Sequence, residues 1–214
     1  MNIQQIREEI KKIPTTKFGI SVPQLKKFAV KIAKENYREF LDNNKFETFE
    51  LKMLHAFVLG YARDDIEILL KYFDCFIPQV DDWAINDALC QTFKQARQHQ
   101  QRVWDYLEHY HSSKKEFEIR VVAVMLLSHY LNDKYINQVI KVLDKLYAKK
   151  YYAQMGIAWA IATIMAKYPE LCLKYLQSES CHLNRTTYNK SLQKIRESFR
   201  VNSAIKETVK KLKK

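Results

Sequence analysis

At 214 residues, 47% hydrophobic and 28% charged, the chain can bury a core, is not disordered, and fits one domain or a continuous array of small repeats. Only 3 Gly and 4 Pro argue against a sheet protein of this size, whose turns need residues with special backbone angles, so we read the chain as all-α. The net charge of +12, from 36 Lys and Arg against 24 Asp and Glu, points to a polyanionic partner, nucleic acid before an anionic membrane surface, with a solvated lysine-rich surface as the plain alternative.

Apolar residues at Ile3, Ile6, Ile10 and Ile13 mark one face of a first helix, stopped by Pro14 and Thr15-Thr16. Ser21 caps a second, with Pro23 in its first turn and Leu25, Phe28 and Ile32 facing inward. A third is predicted from about Phe46 to Tyr61, ending near Gly60. The next follows Arg63, where Asp64 and Asp65 favour a helix N-terminus through capping and the helix dipole. Another starts near Asp82. Helices then follow at about 98–110, 114–131, 134–147, 151–167, 169–177, 185–198 and 202–213, parted by short polar turns such as His111-Ser112-Ser113 and Asn132-Asp133.

About a dozen helices in antiparallel pairs, recurring every 35–40 residues or so, approach the HEAT and armadillo period. The expected architecture is therefore a HEAT-like or armadillo-like helical-repeat solenoid, one domain over residues 1–214, with a compact irregular bundle as the alternative. Tyr151 to Ala166 is nearly apolar, but it carries Gln154, Gly156 and Thr163 between Lys149, Lys150 and Lys167. At that length it reads as a central buried helix, not a membrane span.

A solenoid has a concave face wide enough for a duplex, and basic residues belong on it if nucleic acid is the ligand. The candidates are Lys26, Lys27, Arg120, Lys150, Arg185, Lys190, Lys194, Arg196 and Arg200. Lys190 and Lys194 are four apart, as are Arg196 and Arg200, so each pair is expected to share a helical face. The C-terminal run of Lys206, Lys210, Lys211, Lys213 and Lys214 reads as a solvated tail. Cys75, Cys90, Cys172 and Cys181 are scattered, and His109 and His111 would diverge on a helix, so neither zinc nor a disulfide framework is expected. With no apolar signal core at the start, a reduced cytoplasmic setting is the simplest reading.

Three constellations could carry chemistry. Trp83 and Asp87 lie four apart on a helix starting near Asp82, which sets an aromatic surface beside a carboxylate; core packing and a structural ion pair are the plain readings. Arg120 stands at the edge of a strongly apolar helix, where a guanidinium either pairs with a buried acid or reaches a phosphate. Gly156 and Ala158 leave room for a close approach beside Trp159, by default a packing residue. No Ser/His/Asp set, phosphate loop or metal motif competes with these.

In order along the chain come Phe18-Gly19-Ile20-Ser21-Val22-Pro23, Trp83-Ala84-Ile85-Asn86-Asp87, Ile119-Arg120-Val121-Val122-Ala123, Gly156-Ile157-Ala158-Trp159 and Lys190-Ser191-Leu192-Gln193-Lys194-Ile195. Together these runs resemble the AlkD-like DNA alkylation repair family, from about residue 17 to 200. The resemblance implies a HEAT-like solenoid cupping duplex DNA on a basic concave face. It implies Asp87 as the catalytic carboxylate, Trp83 and Trp159 as aromatics packing on the lesion nucleotide, and Arg120 as a contact to the backbone nearby. It further implies excision of N3- and N7-alkylated purines without drawing the base into a pocket, unlike ordinary glycosylases.

Such a purine is cationic and leaves the sugar without a general acid. A fixed carboxylate then stabilises the oxocarbenium-like charge and can orient a water, and aromatic faces add cation–π attraction of roughly 0.5–2 kcal/mol each. No metal or cofactor is called for. The chain departs from the best-known members in a start about one helix shorter, and in Ala162 where they carry an arginine. The expected protein is a monomeric, bacterial-type, nucleoid-associated DNA glycosylase. The alternatives are a non-catalytic binder of damaged or branched DNA, and a helical-repeat scaffold for an acidic protein.

Overall fold

The computed structural model describes residues 3–16 and 19–212. Phe18 of the opening motif and Lys213 and Lys214 of the tail lie outside the described residues. Among the described residues the packed elements are helices, apart from one ladder of two-residue strands, as expected for an all-α helical-repeat fold. The chain divides into two compact units, Met1–His99 and Gln100–Lys214.

In the first unit α1 (Ile3–Lys12) leads into β1 (Thr15–Thr16) and β2 (Gly19–Ile20), which pair antiparallel with Thr15 opposite Ile20. Then come α2 (Val22–Glu35), α3 (Tyr37–Asn43), α4 (Phe49–Tyr61), α5 (Ile66–Phe76), a 3-10 turn at Ile77–Gln79, α6 (Trp83–Thr92) and α7 (Gln95–Gln98). Helix α4 is apolar on every side and buries Leu51 and Met53 through Gly60, because α2 and α6 both pack on it. Its neighbour α2 buries only the stripe Leu25, Ala29 and Ile32, and Phe28, expected inward, is half-buried.

One boundary differs from expectation for a local reason, and the next is capped as expected by one of its two aspartates. Phe46 has φ 55°, outside helical geometry, and its ring packs 4.8 Å from His55 and 5.4 Å from Phe76. The helix therefore starts at Phe49, where Thr48 Oγ1 accepts the Leu51 N–H at 3.3 Å. Asp65 caps α5 by accepting the Glu67 N–H at 2.8 Å, whereas Asp64 accepts from Arg38 and Tyr37 instead. Helix α3 was not expected: its seven residues contribute only Phe40 and Leu41 to the core, too few to show a period.

The second unit holds α8 (Gln100–Glu108), α9 (Glu116–His129), α10 (Ile136–Lys145), α11 (Tyr151–Lys167), α12 (Pro169–Gln177), α13 (Arg185–Glu197) and α14 (Ser203–Lys210). The helix expected over 98–110 is broken where the backbone leaves helical geometry at His99. Helix α10 is amphipathic, burying Ile136, Val139, Ile140 and Leu143 at three-and-four spacing. Helix α11 is the buried central helix expected, with α9 and α13 against it. Among the described residues no helix is long and apolar enough to cross a membrane.

The repeat shows directly in the hydrogen bonds. Glu116 Oε1 accepts the Tyr152 N–H, Lys167 Nζ donates to the Leu131 carbonyl, and Asn184 Nδ2 donates to the Ala148 carbonyl, each across 36 residues. The first bond joins the starts of α9 and α11 and the second their ends, so the two helices run parallel while α10 returns between them. This falls within the 35–40-residue period expected for the helix pairs.

Candidate functional site

In the first unit the candidate residues stand on α6. Lys52 Nζ on α4 meets Asp81 Oδ2 at 2.5 Å and holds the turn before the helix. Asp82 Oδ1 accepts the Ala84 N–H at 2.7 Å and starts it. At its far end Thr92 lies so close to Gly60 of α4 that a Cβ on residue 60 would stand 1.8 Å from Thr92 Oγ1. Helix α6 is thus fixed to α4 at both ends. Trp83, its first residue, is 48% exposed, while Asp87, one turn on, is 7% exposed beside the fully buried Asn86. Asn86 and Asp87 both interact with their surroundings. The pairing therefore presents an exposed aromatic surface one helical turn before a sequestered carboxylate.

In the second unit Arg120 is buried, 5% exposed, on α9. Its Nη1 donates to the Tyr152 carbonyl at 2.8 Å, and Glu116, one turn earlier, accepts the N–H of the same residue at 2.6 Å. Phe117 stacks on the Tyr152 ring at 5.7 Å. The guanidinium thus takes a backbone carbonyl of α11 as a partner, in addition to the buried acid or phosphate that its sequence position suggests. Gly156 makes the room expected of it, since a Cβ there would stand 3.2 Å from Arg120 Cγ. Trp159, half-buried on α11, lies one turn past Gly156, and its carbonyl accepts Thr163 Oγ1 at 2.9 Å. Ala162, in the place where the resemblance would put an arginine, is buried.

The basic candidates fall into distinct environments. Lys150 is exposed at the start of α11 beside Tyr151, which is also exposed. Lys190, Lys194 and Arg196 are half-buried on α13, with Lys190 Nζ donating to Gln193 Oε1 at 3.0 Å. Lys190 and Lys194 share a helix as expected. Arg196 and Arg200 do not, because α13 ends at Glu197 and Arg200 lies exposed in the turn beyond. Lys26 sits 5.3 Å over the Phe57 ring, and Lys27 and Arg185 are exposed.

Sequence reasoning missed Glu116, Lys52 and Thr92, the residues that hold these helices in place. The four-residue spacing of Glu116 and Arg120 was a readable signal; the Gly60–Thr92 approach, 32 residues apart, was not. Among the described residues no three His, Cys, Asp or Glu side chains gather as a metal site would require.

The sequence matches the profile of the family described as DNA alkylation repair enzyme over residues 4–195 of 214. The chain belongs to this family. Searches of curated proteins and of solved structures each returned no match.

Proposed function

We propose that the protein is a DNA glycosylase that hydrolyses the N-glycosidic bond of cationic N3- or N7-alkylated purines in duplex DNA. The observation that carries this reading is α6: a half-exposed Trp83 one turn before a sequestered Asp87, in a chain of the DNA alkylation repair family. In this reading the Asp87 carboxylate stabilises the positive charge that develops on the deoxyribose as the base leaves, and orients the water that replaces it. A carboxylate away from bulk water does this more strongly than an exposed one. Trp83 packs against the lesion nucleotide, and Trp159 is the second such aromatic. Arg120 is the backbone contact, made while its Nη1 holds Tyr152. Lys150, Lys190, Lys194, Arg196 and Arg200 belong to a basic DNA-binding face of a single helical-repeat domain.

A second reading, a non-catalytic binder of damaged or branched DNA, is favoured by the buried Ala162, which removes a cation the resemblance would supply. Release of methylated purines from methylated duplex DNA separates the two. Release by the parent and none by Asp87→Asn, with duplex binding kept, supports the glycosylase. No release by the parent, with salt-sensitive binding kept, moves the protein to the second reading.

A further inference from the structure

The starts of α11 and α13 flank a groove of about 390 Å³ in the second unit. Leu146, Ile157 and Leu183 give it apolar walls, Lys149 and His182 line it, and Thr187 reaches it from the first turn of α13. Thr187 is 1% exposed, and its Oγ1 is buried without a hydrogen-bond partner among the described residues. A buried hydroxyl left so is unfavourable unless a ligand or water completes it.

Three further features surround that hydroxyl. Asn184 Oδ1 accepts the Thr187 N–H of the first turn at 2.9 Å, and the N–H groups of Arg185 and Thr186, which have no intrahelical carbonyl to bond, stand at the same helix end between two residues that line the groove. Lys149 and Lys114 stand 4.9 Å and 5.9 Å from the exposed Tyr147 ring, which steadies both cations at the groove's edge. The groove's one carboxylate is already occupied: Asp144 accepts from Tyr175 Oη at 2.6 Å, from the His182 N–H at 2.7 Å and from His182 Nδ1 at 2.9 Å. That contact leaves the other edge of the exposed imidazole, with Nε2, toward solvent.

The protein thus offers donors and cations around a compact space, which suits a tetrahedral anion. We propose that this groove binds a phosphate group of the nucleic-acid backbone through the Thr187 hydroxyl, the Arg185 and Thr186 amides, Lys149 and His182. None of these residues has a part in the chemistry assigned to Asp87. The inference rests on the DNA reading above for the source of the phosphate. Lys115, Lys150 and Arg185, at 35-residue intervals along the chain, put a cation at the starts of α9, α11 and α13 in turn, and at α9 that cation is paired with Glu118 at 2.9 Å.

The test is amide NMR of the ¹⁵N-labelled full chain, titrated with inorganic phosphate and separately with a short unmodified duplex. The Arg185 and Thr186 resonances are expected to move with both probes. Thr187→Val should weaken the phosphate response about fivefold or more without lowering Tm, since it removes a hydroxyl that has no partner. Lys149→Ala should reduce the salt slope of duplex binding by about one. Amides that neither probe moves overturn the site. Movement with phosphate alone overturns the backbone assignment in favour of a free phosphate. If the parent releases no alkylated base yet these shifts appear, the glycosylase reading fails and this one stands.

Discussion

Gly156 of α11 lies against the aliphatic stem of Arg120 on α9, with 3.2 Å between a Cβ at that position and Arg120 Cγ. The same arginine holds the Tyr152 carbonyl, so its stem has little freedom to withdraw. Alanine at 156 gains about 1 kcal/mol of helix propensity, which largely offsets the crowding. Leucine cannot fit. Gly156→Leu is expected to destabilise the second unit by about 2–3 kcal/mol through overpacking, while Gly156→Ala stays within about 1 kcal/mol of the parent. Urea midpoints of the two variants check this.

The approach of α4 and α6 is tighter. Gly60→Ala would set a methyl 1.8 Å from Thr92 Oγ1, a hydroxyl that already donates to the Ala88 carbonyl at 2.6 Å. The helices must separate, and a loss of about 2–3 kcal/mol is expected. Thr92→Ala in the same chain should restore part of it, since the Thr92 Cβ would remain only 2.8 Å away. Full additivity of the two substitutions by thermal melting would contradict this contact.

Trp83 is exposed where Trp104 is buried, stacked 5.1 Å from Tyr135. Trp83→Ala should therefore change stability by less than about 0.5–1 kcal/mol while Trp104→Ala costs about 3–5 kcal/mol. On adding alkylated duplex, tryptophan fluorescence should change in the parent and change less in Trp83→Ala, where only Trp159 still reports. An equal response in both would remove Trp83 from the DNA contact.

His55 gives the fold a pH dependence. It is 2% exposed among Phe40, Phe46 and Phe76, with Asn44 Nδ2 at 3.2 Å from its Nδ1, and burial pushes the imidazole down to about 3. Above about pH 6.5 the group is neutral folded and unfolded, and contributes no slope. Below it the unfolded chain takes up a proton that the folded chain refuses, so stability falls as pH drops toward 3. Between pH 6 and 4 the parent should lose about 2 kcal/mol more than His55→Leu, measured by denaturant titration at each pH.

The fold class was legible because α4, α9 and α11 are long and apolar and the chain holds only 3 Gly and 4 Pro. Asp82 read correctly as the start of α6, since a cap is local chemistry. Arg120 read only in part: its charge and its apolar helix are visible in sequence, but the Tyr152 carbonyl is backbone, which every residue carries alike. The start of α4 was misplaced because Phe46 takes its conformation from packing on His55 and Phe76, not from its neighbours. Four-residue spacing pairs Arg200 with Arg196 only within a continuous helix, and the end of α13 at Glu197 separates them.

The constant 36-residue offset of the bonds from Glu116, Lys167 and Asn184 means that each layer of the second unit answers mainly to the layer beside it. Loosening should therefore spread from α14 toward the central helix, with the amides of α14 exchanging with solvent before those of α13, and those of α11 last. A structure stacked in this way can also grow or shrink by one full period of chain while its remaining layers keep their register.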